Sequence, residues 1–425
     1  MVLISFILQV AVIGIFRQYR VRAGEDHFNF GWEMARIGRS IVQGHGFSSP
    51  YEGNTGPTAW EPPLYPYLIA GVFKIFGLYT VASAWVLLTI NCVFSALTTI
   101  PVFLIAHRTF GPRVALWSAR AWALNPWVWY WSVHWIWDTT FTPLVLTLIF
   151  LVALEMEDWT GWRGWILFGA LWGLGALINP AMLPFLPFCG LWVWYRRYRR
   201  GLPSLAGIVL SAVLFFLVLT PWLVRNYEVF GRFVFIRDDF GLIFHLGNND
   251  IAEGILVAGL QPNMSTLELQ RFQQMGELAY SADCKRRSLD WIHAHPGHFG
   301  LISLKRFFYY WNGVPRHTDS TFPLDFRMSP FLASSVLALW GLARALRQKR
   351  PGAWLFLGLI ATYPTIYYLV FAHARFRHPI ESELFILAAF LLSEARIGMP
   401  NEKQSVDAGD SAALQRSPTE VLPSP

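Results

Sequence analysis

Residues 203–224 read PSLAGIVLSAVLFFLVLTPWLV, an apolar stretch without a single charged side chain. About 20 such residues in a helix span the hydrocarbon core of a bilayer. The stretch follows a basic cluster at 196–200, RRYRR, and loops rich in Lys and Arg stay on the cytoplasmic side of a membrane. We therefore predict a transmembrane helix here, with its N-terminal end in the cytoplasm.

Similar apolar stretches recur along the chain and predict further spanning helices. They are residues 2–16, 82–106, 114–133, 139–155, 164–178, 181–195, 329–345, 352–371 and 380–395. Of the 425 residues, 54% are hydrophobic and 14% are charged, whereas a soluble domain carries about 25% charged residues. The sequence thus predicts an all-α polytopic membrane protein, a helical bundle of about ten transmembrane helices.

The distribution of basic residues predicts the orientation. They concentrate in the clusters 196–200 and 344–350, which we place in the cytoplasm together with both chain termini. The outer side then receives the loops 17–81, 134–138, 225–328 and 372–379. The apolar run 64–77 is short and begins among prolines, so we predict that it lies in the outer interface. Because the net charge of +7 comes from loop clusters, nucleic acid is excluded as a partner.

The chain divides into one membrane domain, residues 1–396, and a polar C-terminal end. Residues 397–425 are rich in Ser, Pro, Asp and Gln and show no apolar period, which is typical of disordered segments. We predict a disordered cytoplasmic tail there. The candidate chemistry falls in the membrane domain, in the outer loops 17–81 and 225–328 and in two shorter outer loops.

The first outer loop carries an acidic helix. Apolar residues recur at helical spacing across 30–41, which predicts an amphipathic helix. Asp26 or Asn29 is placed to cap this helix, and Glu33 lies near its beginning. Glu33 and Asp26 are therefore candidate catalytic carboxylates at the membrane surface. An ion pair of Glu33 with Arg36 on an exposed helix face is the structural alternative.

Asp138 stands among tryptophans in the short second outer loop. A carboxylate beside hydrocarbon is costly unless it is paired, so it is a functional candidate. It is equally well placed to cap the helix predicted at 139–155, and the two roles are compatible. With His134 from the same loop, Trp60 and Glu61 from the Gly- and Pro-rich end of the first loop are predicted to line a substrate cleft.

The last outer loop is basic. Arg375, Arg377 and His378 lie in one short turn, and guanidinium groups pair bidentately with phosphate. We predict a phosphate site there, with an anchor for lipid headgroups as the alternative. Arg225 emerges just after the helix at 203–224 and is predicted to join this site. The residues after it, up to Gly247, suggest short β-like runs.

Several of these features occur in an order that resembles a known family. The ordered motifs are Trp60-Glu61-Pro62-Pro63-Leu64, Asn125-Pro126 leading to Asp138, Thr220-Pro221-Trp222 leading to Arg225-Asn226-Tyr227, and Arg375-Phe376-Arg377-His378-Pro379. To about residue 396, the chain resembles the GT-C membrane glycosyltransferases, in the bacterial branch related to protein O-mannosyltransferases and the lipid A aminoarabinose transferase. The resemblance implies a helical bundle with an outer-face active site and a sugar donor carried on polyprenyl phosphate. It also implies an acidic general base in the first outer loop and a basic phosphate-binding residue near the last one.

The chain departs from the family pattern at two positions. Relatives usually carry an Asp-Glu pair about fourteen residues before the glycine that closes the first-loop helix, and here that spacing falls on Phe30 and Gly31. The base is therefore predicted at Glu33 or Asp26. Glu61 stands where relatives often have Lys. A catalytically inactive scaffold remains an alternative reading of these departures.

The predicted function is transfer of a hexose or pentose from a polyprenyl-phosphate donor to a lipid, glycan or protein acceptor. The reaction is placed on the periplasmic side of a bacterial inner membrane, among membrane lipids. Asp138 would orient the acceptor or a divalent cation, and no other cofactor is implied. The main rival is a transporter or flippase of a lipid-linked solute. The middles of the apolar runs carry few charges, whereas transport pathways commonly contain them.

Overall fold

The computed structural model describes residues 1–20, 30–315 and 328–397. Within these ranges the secondary structure is helical, and β-pairing is limited to two isolated bridges. The predicted all-α membrane fold is confirmed. Apart from its first residue, the predicted disordered tail lies outside the described ranges, and so does Asp26.

Six helices lie in the described residues up to 134. They are α1 (Val2–Ile15), α2 (Trp32–Val42), α3 (Leu64–Phe76), α4 (Val81–Phe110), α5 (Pro112–Ala123) and α6 (Pro126–His134). The single span predicted at 114–133 is wrong, because Asn125-Pro126 divides it into α5 and α6. Pro126 lacks an N–H and suits the first helical position. The Asn125 side chain caps α6 by accepting a hydrogen bond from the Trp127 N–H over 2.9 Å.

The next four helices form the centre of the bundle. They are α7 (Phe141–Glu155), α8 (Trp162–Ile178), α9 (Phe185–Arg199) and α10 (Leu205–Phe230). Helices α8 and α10 pack closely because glycines face the contact. A Cβ on Gly169 would lie 2.3 Å from the Ser211 carbonyl oxygen, so this approach requires a residue without a side chain.

The long segment between α10 and the next spanning helix is also helical. It contains α11 (Phe240–Gly247), α12 (Thr266–Met275), α13 (Glu277–Ala294) and α14 (Pro296–Asn312). The β-like runs predicted up to Gly247 are wrong, since α10 continues to Phe230 and α11 occupies the end of that stretch. The apolar residues of α11 are buried against α13, and this burial outweighs the local β propensity.

The C-terminal part completes the bundle. Its helices are α15 (Ser329–Arg347), α16 (Ala353–Thr362), α17 (Thr365–Leu369) and α18 (Glu381–Ile397). The predicted span 352–371 is interrupted at Tyr363-Pro364, where proline ends one helix and begins another.

Among the residues that the structure describes, four segments are long and apolar enough to cross a membrane by themselves. They are Val81–Phe110, Asp138–Glu155, Leu205–Phe230 and Ser329–Arg347. Shorter apolar helices occupy Val2–Ile15, Leu64–Phe76, Trp162–Ile178 and Ala353–Leu369. The chain is a multi-pass membrane protein, and the number of about ten spanning helices stays a prediction. Helix α3, predicted to lie in the interface, packs on α2, where a Cβ on Gly38 would meet the Ile69 side chain at 2.9 Å.

The two ends of α7 lie beside different charged residues. Beyond its C-terminal end, Glu157 accepts from Arg196 over 2.8 Å and pairs with Arg200 at 3.0 Å. Asp138 precedes its N-terminal end. The carboxylate of Asp138 therefore lies at the end of the bundle away from the main basic cluster.

Candidate active site

A pocket of about 300 Å³ lies at the Asp138 end of the bundle. Segments that are far apart in sequence contribute its polar residues, which are Glu61, Asp138, Thr139, Thr142, Asn179, Arg237, Asp239, Tyr363, Tyr367 and Arg375. The apolar part of the wall includes Trp137 and Phe376. Glu61 of the first outer loop, Asp138 of the second and Arg375 of the last therefore line one cavity.

Asp138 is held at the pocket wall by its own helix and by a neighbour. Its carboxylate accepts hydrogen bonds from Asn179 Nδ2 over 2.9 Å and from Thr142 Oγ1 over 3.3 Å. The side chain is 9% exposed. No backbone N–H at the start of α7 donates to this carboxylate, so the predicted helix cap is wrong. Asp138 presents a buried carboxylate to the pocket.

Arg375 presents a guanidinium group to the same space. Its Cζ lies 4.6 Å from the ring centre of Trp137 and 5.3 Å from that of Phe376. Within the described part of the chain, no hydrogen bond or ion pair engages this guanidinium. Stacking on aromatic faces leaves the planar fork of N–H donors free for an oxyanion.

Glu61 faces the pocket beside an Arg237–Asp239 ion pair. Arg237 Nη2 lies 3.9 Å from Glu61 Oε2. Burial raises the pKa of Glu61 to about 7. Arg237 opposes this rise in pKa, and the negative charges of Glu33 and Asp138 add to it.

Glu33 lies behind the pocket, at the start of α2. Its Oε1 accepts a hydrogen bond from Asn263 Nδ2 over 2.5 Å, and the Asn263 side-chain oxygen accepts from Arg36. Burial raises the pKa of Glu33, while its hydrogen bonds and the charges of Arg36 and Arg375 oppose that shift. Glu33 is near the other acids but does not line the cavity. Asp26, the other predicted base, lies outside the described residues.

A glycine permits this placement of α2. Gly31 precedes the helix with φ of 87°, in the left-handed region that favours glycine. A Cβ there would lie 2.4 Å from the carbonyl oxygen of Ile136. This close approach brings the start of α2 against the loop that carries Asp138.

Arg377 and His378 lie away from the pocket in the packed interior. The Arg377 guanidinium donates to the carbonyl oxygens of Trp311 and Phe331 over 2.9 and 3.0 Å and pairs with Glu381 at 2.9 Å. His378 is 2% exposed. Neither side chain lines the pocket that Arg375 lines. The structure therefore does not place them for the predicted contact with the donor phosphate.

Arg225 has a structural position as well. Its guanidinium donates to the carbonyl oxygens of Thr58 and Phe47 over 2.6 and 2.7 Å and stacks 4.9 Å from the Trp222 ring centre. These contacts tie α10 to the Gly- and Pro-rich part of the first loop. Arg225 therefore shapes the segment before Glu61 rather than facing the cavity as predicted.

Trp60 and His134 were predicted to line the cleft and do not line it. Trp60 is buried beside Tyr51 and Phe272, with both ring-centre distances 5.5 Å. His134 ends α6 and stacks on Tyr130. Glu61, the third predicted cleft residue, does face the cavity.

Sequence reasoning missed several pocket residues. They are Asn179, Arg237, Asp239, Tyr363 and Tyr367. Asn179-Pro180 repeats the Asn-Pro pair at 125–126, which was a usable signal for a polar residue at a helix end. Tyr363 lies at the break between α16 and α17 and Tyr367 lies within α17. Both belong to an apolar run that gave no signal of a polar surface.

The described residues contain no group of three or more His, Cys, Asp or Glu side chains suited to a metal ion. The pocket acids are instead engaged by amide, hydroxyl and guanidinium groups. The arrangement can bind an oxyanion at Arg375 and accept a proton at a neighbouring carboxylate.

The bundle of membrane helices has the fold of the GT-C membrane glycosyltransferases. Residues 60–224, less than half of the chain, match the family described as dolichyl-phosphate-mannose-protein mannosyltransferase. The matched segment includes Glu61, Asp138 and Asn179. The GT-C resemblance predicted from the sequence is confirmed.

Solved structures support the same fold. The apo oligosaccharyltransferase of Archaeoglobus fulgidus matches with a TM-score of 0.53 at 15% identity, covering 99% of this chain and 52% of that chain. The same enzyme with Zn and sulfate gives 0.52 at 13% identity, with 92% and 48% covered. The present chain thus spans about half the length of these structures.

A further structure is more distant. ArnT from Cupriavidus metallidurans bound to undecaprenyl phosphate gives a TM-score of 0.37 at 13% identity, covering 97% of this chain and 81% of that chain. No curated protein matches the chain as a sequence relative.

Proposed function

We propose that this protein transfers a sugar from a polyprenyl-phosphate donor to an acceptor, in the pocket formed by Glu61, Asp138 and Arg375. One observation carries the proposal: Arg375 stacks on Trp137, offers its guanidinium donors to the cavity and faces buried carboxylates across it. An arginine for a leaving phosphate and a carboxylate for an incoming nucleophile are the two groups that such a transfer needs.

The family match supports the donor class. Dolichyl phosphate is a polyprenyl-type lipid phosphate, and the family description names its mannose ester as donor for a protein acceptor. The matched residues end at 224, so the family match does not include Arg375. Arg375 belongs to the proposed site because it lines the same pocket. The sugar, whether hexose or pentose, and the acceptor, whether lipid, glycan or protein, are left open.

The chemistry assigns a separate task to each group. A carboxylate takes the proton of the acceptor hydroxyl as its oxygen attacks the anomeric carbon. The bond between the anomeric carbon and the phosphate oxygen breaks, and the electron pair stays on the phosphate. Arg375 stabilises the negative charge of this leaving group. Asp138, fixed by Asn179 and Thr142, orients the acceptor.

We further propose that the pocket opens on the periplasmic side of a bacterial inner membrane. The support is the separation along α7, with Asp138 at one end and the Arg196 cluster at the other. Lys- and Arg-rich loops stay in the cytoplasm, which leaves the pocket on the outer side. A cysteine introduced at the Glu52 position of the first loop should react with an impermeant thiol reagent in intact cells.

The direct test uses purified protein in lipid nanodiscs. It is supplied with radiolabelled polyprenyl-phosphate sugars as donors and with lipid, glycan and peptide acceptors. We expect covalent transfer of label, and we expect Asp138→Asn to reduce it by at least about tenfold. Asp250, an exposed acid in another outer loop, provides the matched control Asp250→Asn, which should transfer normally.

The same preparation in liposomes distinguishes the rival function. Movement of the labelled lipid between leaflets without covalent transfer would contradict the proposal and identify a flippase. Absence of both transfer and donor binding across the donor set would instead indicate a scaffold.

A further inference from the structure

The pocket contains several carboxylates, and their contacts differ in a way that separates their roles. We propose that Glu61 is the general base that removes the acceptor proton. This inference rests on the proposed glycosyl transfer and names a residue for one step of it. The Pro-Pro segment that carries Glu61 thus supplies the base, in place of the acids of the first-loop helix.

The other described acids near the cavity are already engaged by hydrogen bonds or close ion pairs. Asp138 accepts from Asn179 and Thr142, and Glu33 accepts from Asn263 behind the pocket wall. Asp239 forms a close ion pair with Arg237. Such donors stabilise the charged carboxylate and oppose its taking up a proton.

Glu61 differs from them. Within the described ranges, no hydrogen bond reaches its carboxylate, and its ion-pair partner is Arg237 Nη2 at the longer distance of 3.9 Å. The side chain is 6% exposed yet lines the cavity. Its carboxylate is therefore shielded from bulk solvent but accessible from the pocket. Its oxygens are available to accept a hydrogen bond from an incoming hydroxyl.

The backbone around Glu61 is rigidly anchored, as a base requires. The Ala59 N–H donates to Glu277 over 2.6 Å, and the Ala59 carbonyl accepts from the Asp238 N–H over 2.9 Å. Trp60 is buried in an aromatic cluster with Phe272. These contacts hold the segment on both sides of its chain, so that the Glu61 carboxylate points into the pocket without a flexible loop to carry it.

The step balances in atoms and electrons. The acceptor O–H bond breaks, its proton goes to Glu61, and its oxygen forms a bond to the anomeric carbon. The bond from that carbon to the phosphate oxygen breaks, and the electron pair leaves with the polyprenyl phosphate, facing Arg375. Glu61 later returns the proton to solvent.

The surroundings of Glu61 also suit a base at neutral pH. The charged groups that act on it are Arg237 and Arg375, which lower its pKa, and Glu33 and Asp138, which raise it. With burial as the largest effect, the pKa is about 7. A base is most effective when its pKa lies near the working pH.

The test compares Glu61→Gln with Glu33→Gln, Asp26→Asn and the matched control Glu52→Gln, an exposed glutamate of the same loop. Turnover and binding of undecaprenyl phosphate are measured separately in nanodiscs. We expect Glu61→Gln to lower kcat by about 100- to 10,000-fold while donor binding stays within about threefold of the wild type. Glu61→Asp should recover part of kcat, and wild-type kcat/KM should rise with pH through an apparent pKa near 7.

The outcomes separate this inference from the proposed function. If the wild type transfers sugar, Glu61→Gln remains active and Glu33→Gln or Asp26→Asn is inactive, Glu61 is not the base and glycosyl transfer stands. Equal loss of donor binding and turnover in Glu61→Gln would show a binding role and overturn the inference as well. If no donor turns over and undecaprenyl phosphate does not bind, the proposed function fails, and the inference fails with it.

Discussion

Replacing Arg375 gives the sharpest test of the phosphate site. In the structure its guanidinium is positioned by stacking on Trp137 at 4.6 Å and is held by no ion pair within the described residues. Arg375→Ala should therefore leave the fold intact, because within the described residues the substitution breaks no hydrogen bond or ion pair. The loss should appear in the binding of the donor lipid.

The magnitude follows from the hydrogen bonds that Arg375 can offer. A hydrogen bond to a charged group contributes about 1.5–3 kcal/mol, and a guanidinium can donate two to one phosphate. Because Arg375 is partly exposed, we take the lower value for each bond, which gives about 3 kcal/mol. That corresponds to a Kd about 100-fold weaker for Arg375→Ala. Arg375→Lys keeps the charge but not the fork, and should weaken binding by about tenfold.

The assay measures the Kd of undecaprenyl phosphate by thermophoresis in nanodiscs, with undecaprenol as the phosphate-free probe. Binding of the alcohol should not depend on Arg375, so the difference between the two lipids isolates the phosphate contact. Arg232, an exposed arginine of the same face, provides the control Arg232→Ala. A Kd for Arg375→Ala within about threefold of the wild type and the control would refute the reasoning.

Three further predictions concern the framework around the site. Gly247→Ala should destabilise the protein by about 3 kcal/mol, because its Cβ would lie 1.7 Å from the Val370 carbonyl oxygen. The control is Gly259→Ala, whose Cβ would meet no atom within 4 Å and which should leave the Tm unchanged. Equal Tm values for the two variants would contradict the close packing of Gly247 on Val370. Arg377→Met should lower the Tm by removing a buried ion-pair partner, at a cost of about 3–5 kcal/mol, yet leave the Kd of undecaprenyl phosphate unchanged in the variant that folds; a selective loss of lipid binding would restore Arg377 to the phosphate site. Burial raises the pKa of Glu277 to about 8, whereas its usual pKa in an unfolded chain is about 4.3. Between these two pH values the folded protein holds a proton that the unfolded chain has released. The free energy of unfolding should therefore fall as pH rises towards about 8. Glu277→Gln should flatten this fall in Tm, and an unchanged slope would show that Glu277 does not cause it.

The contrast between Arg375 and Arg377 shows where sequence reasoning reached its limit. Both lie in one basic turn, and their shared charge predicted a shared phosphate site. The backbone turn sends Arg375 onto Trp137 and Arg377 into the bundle, where Trp311, Phe331 and Glu381 engage it. Which of two neighbouring arginines meets a ligand depends on partners from α14, α15 and α18, and no local pattern contains that information.

The roles of the acids in the first loop also depend on residues from distant segments. Helical spacing correctly predicted an amphipathic helix that carries Glu33, and a family motif directed attention to that helix. The structure puts Asn263 against the Glu33 carboxylate, from a segment more than 200 residues away in sequence. Glu61, predicted only as a cleft residue, faces the pocket because contacts of Glu277 and Asp238 with the backbone of nearby Ala59 hold this segment in place.

The sequence by itself determined the membrane class, most helices and the side of the bundle on which acids gather. These properties follow from apolar length, proline position and the placement of basic clusters, which act locally through transfer of each segment into the bilayer. Tertiary structure alone decided which polar side chains meet. Asn179, Arg237 and Tyr363 enter the pocket through the packing of distant helices, and this packing decides which carboxylates receive hydrogen bonds and which, like Glu61, receive none.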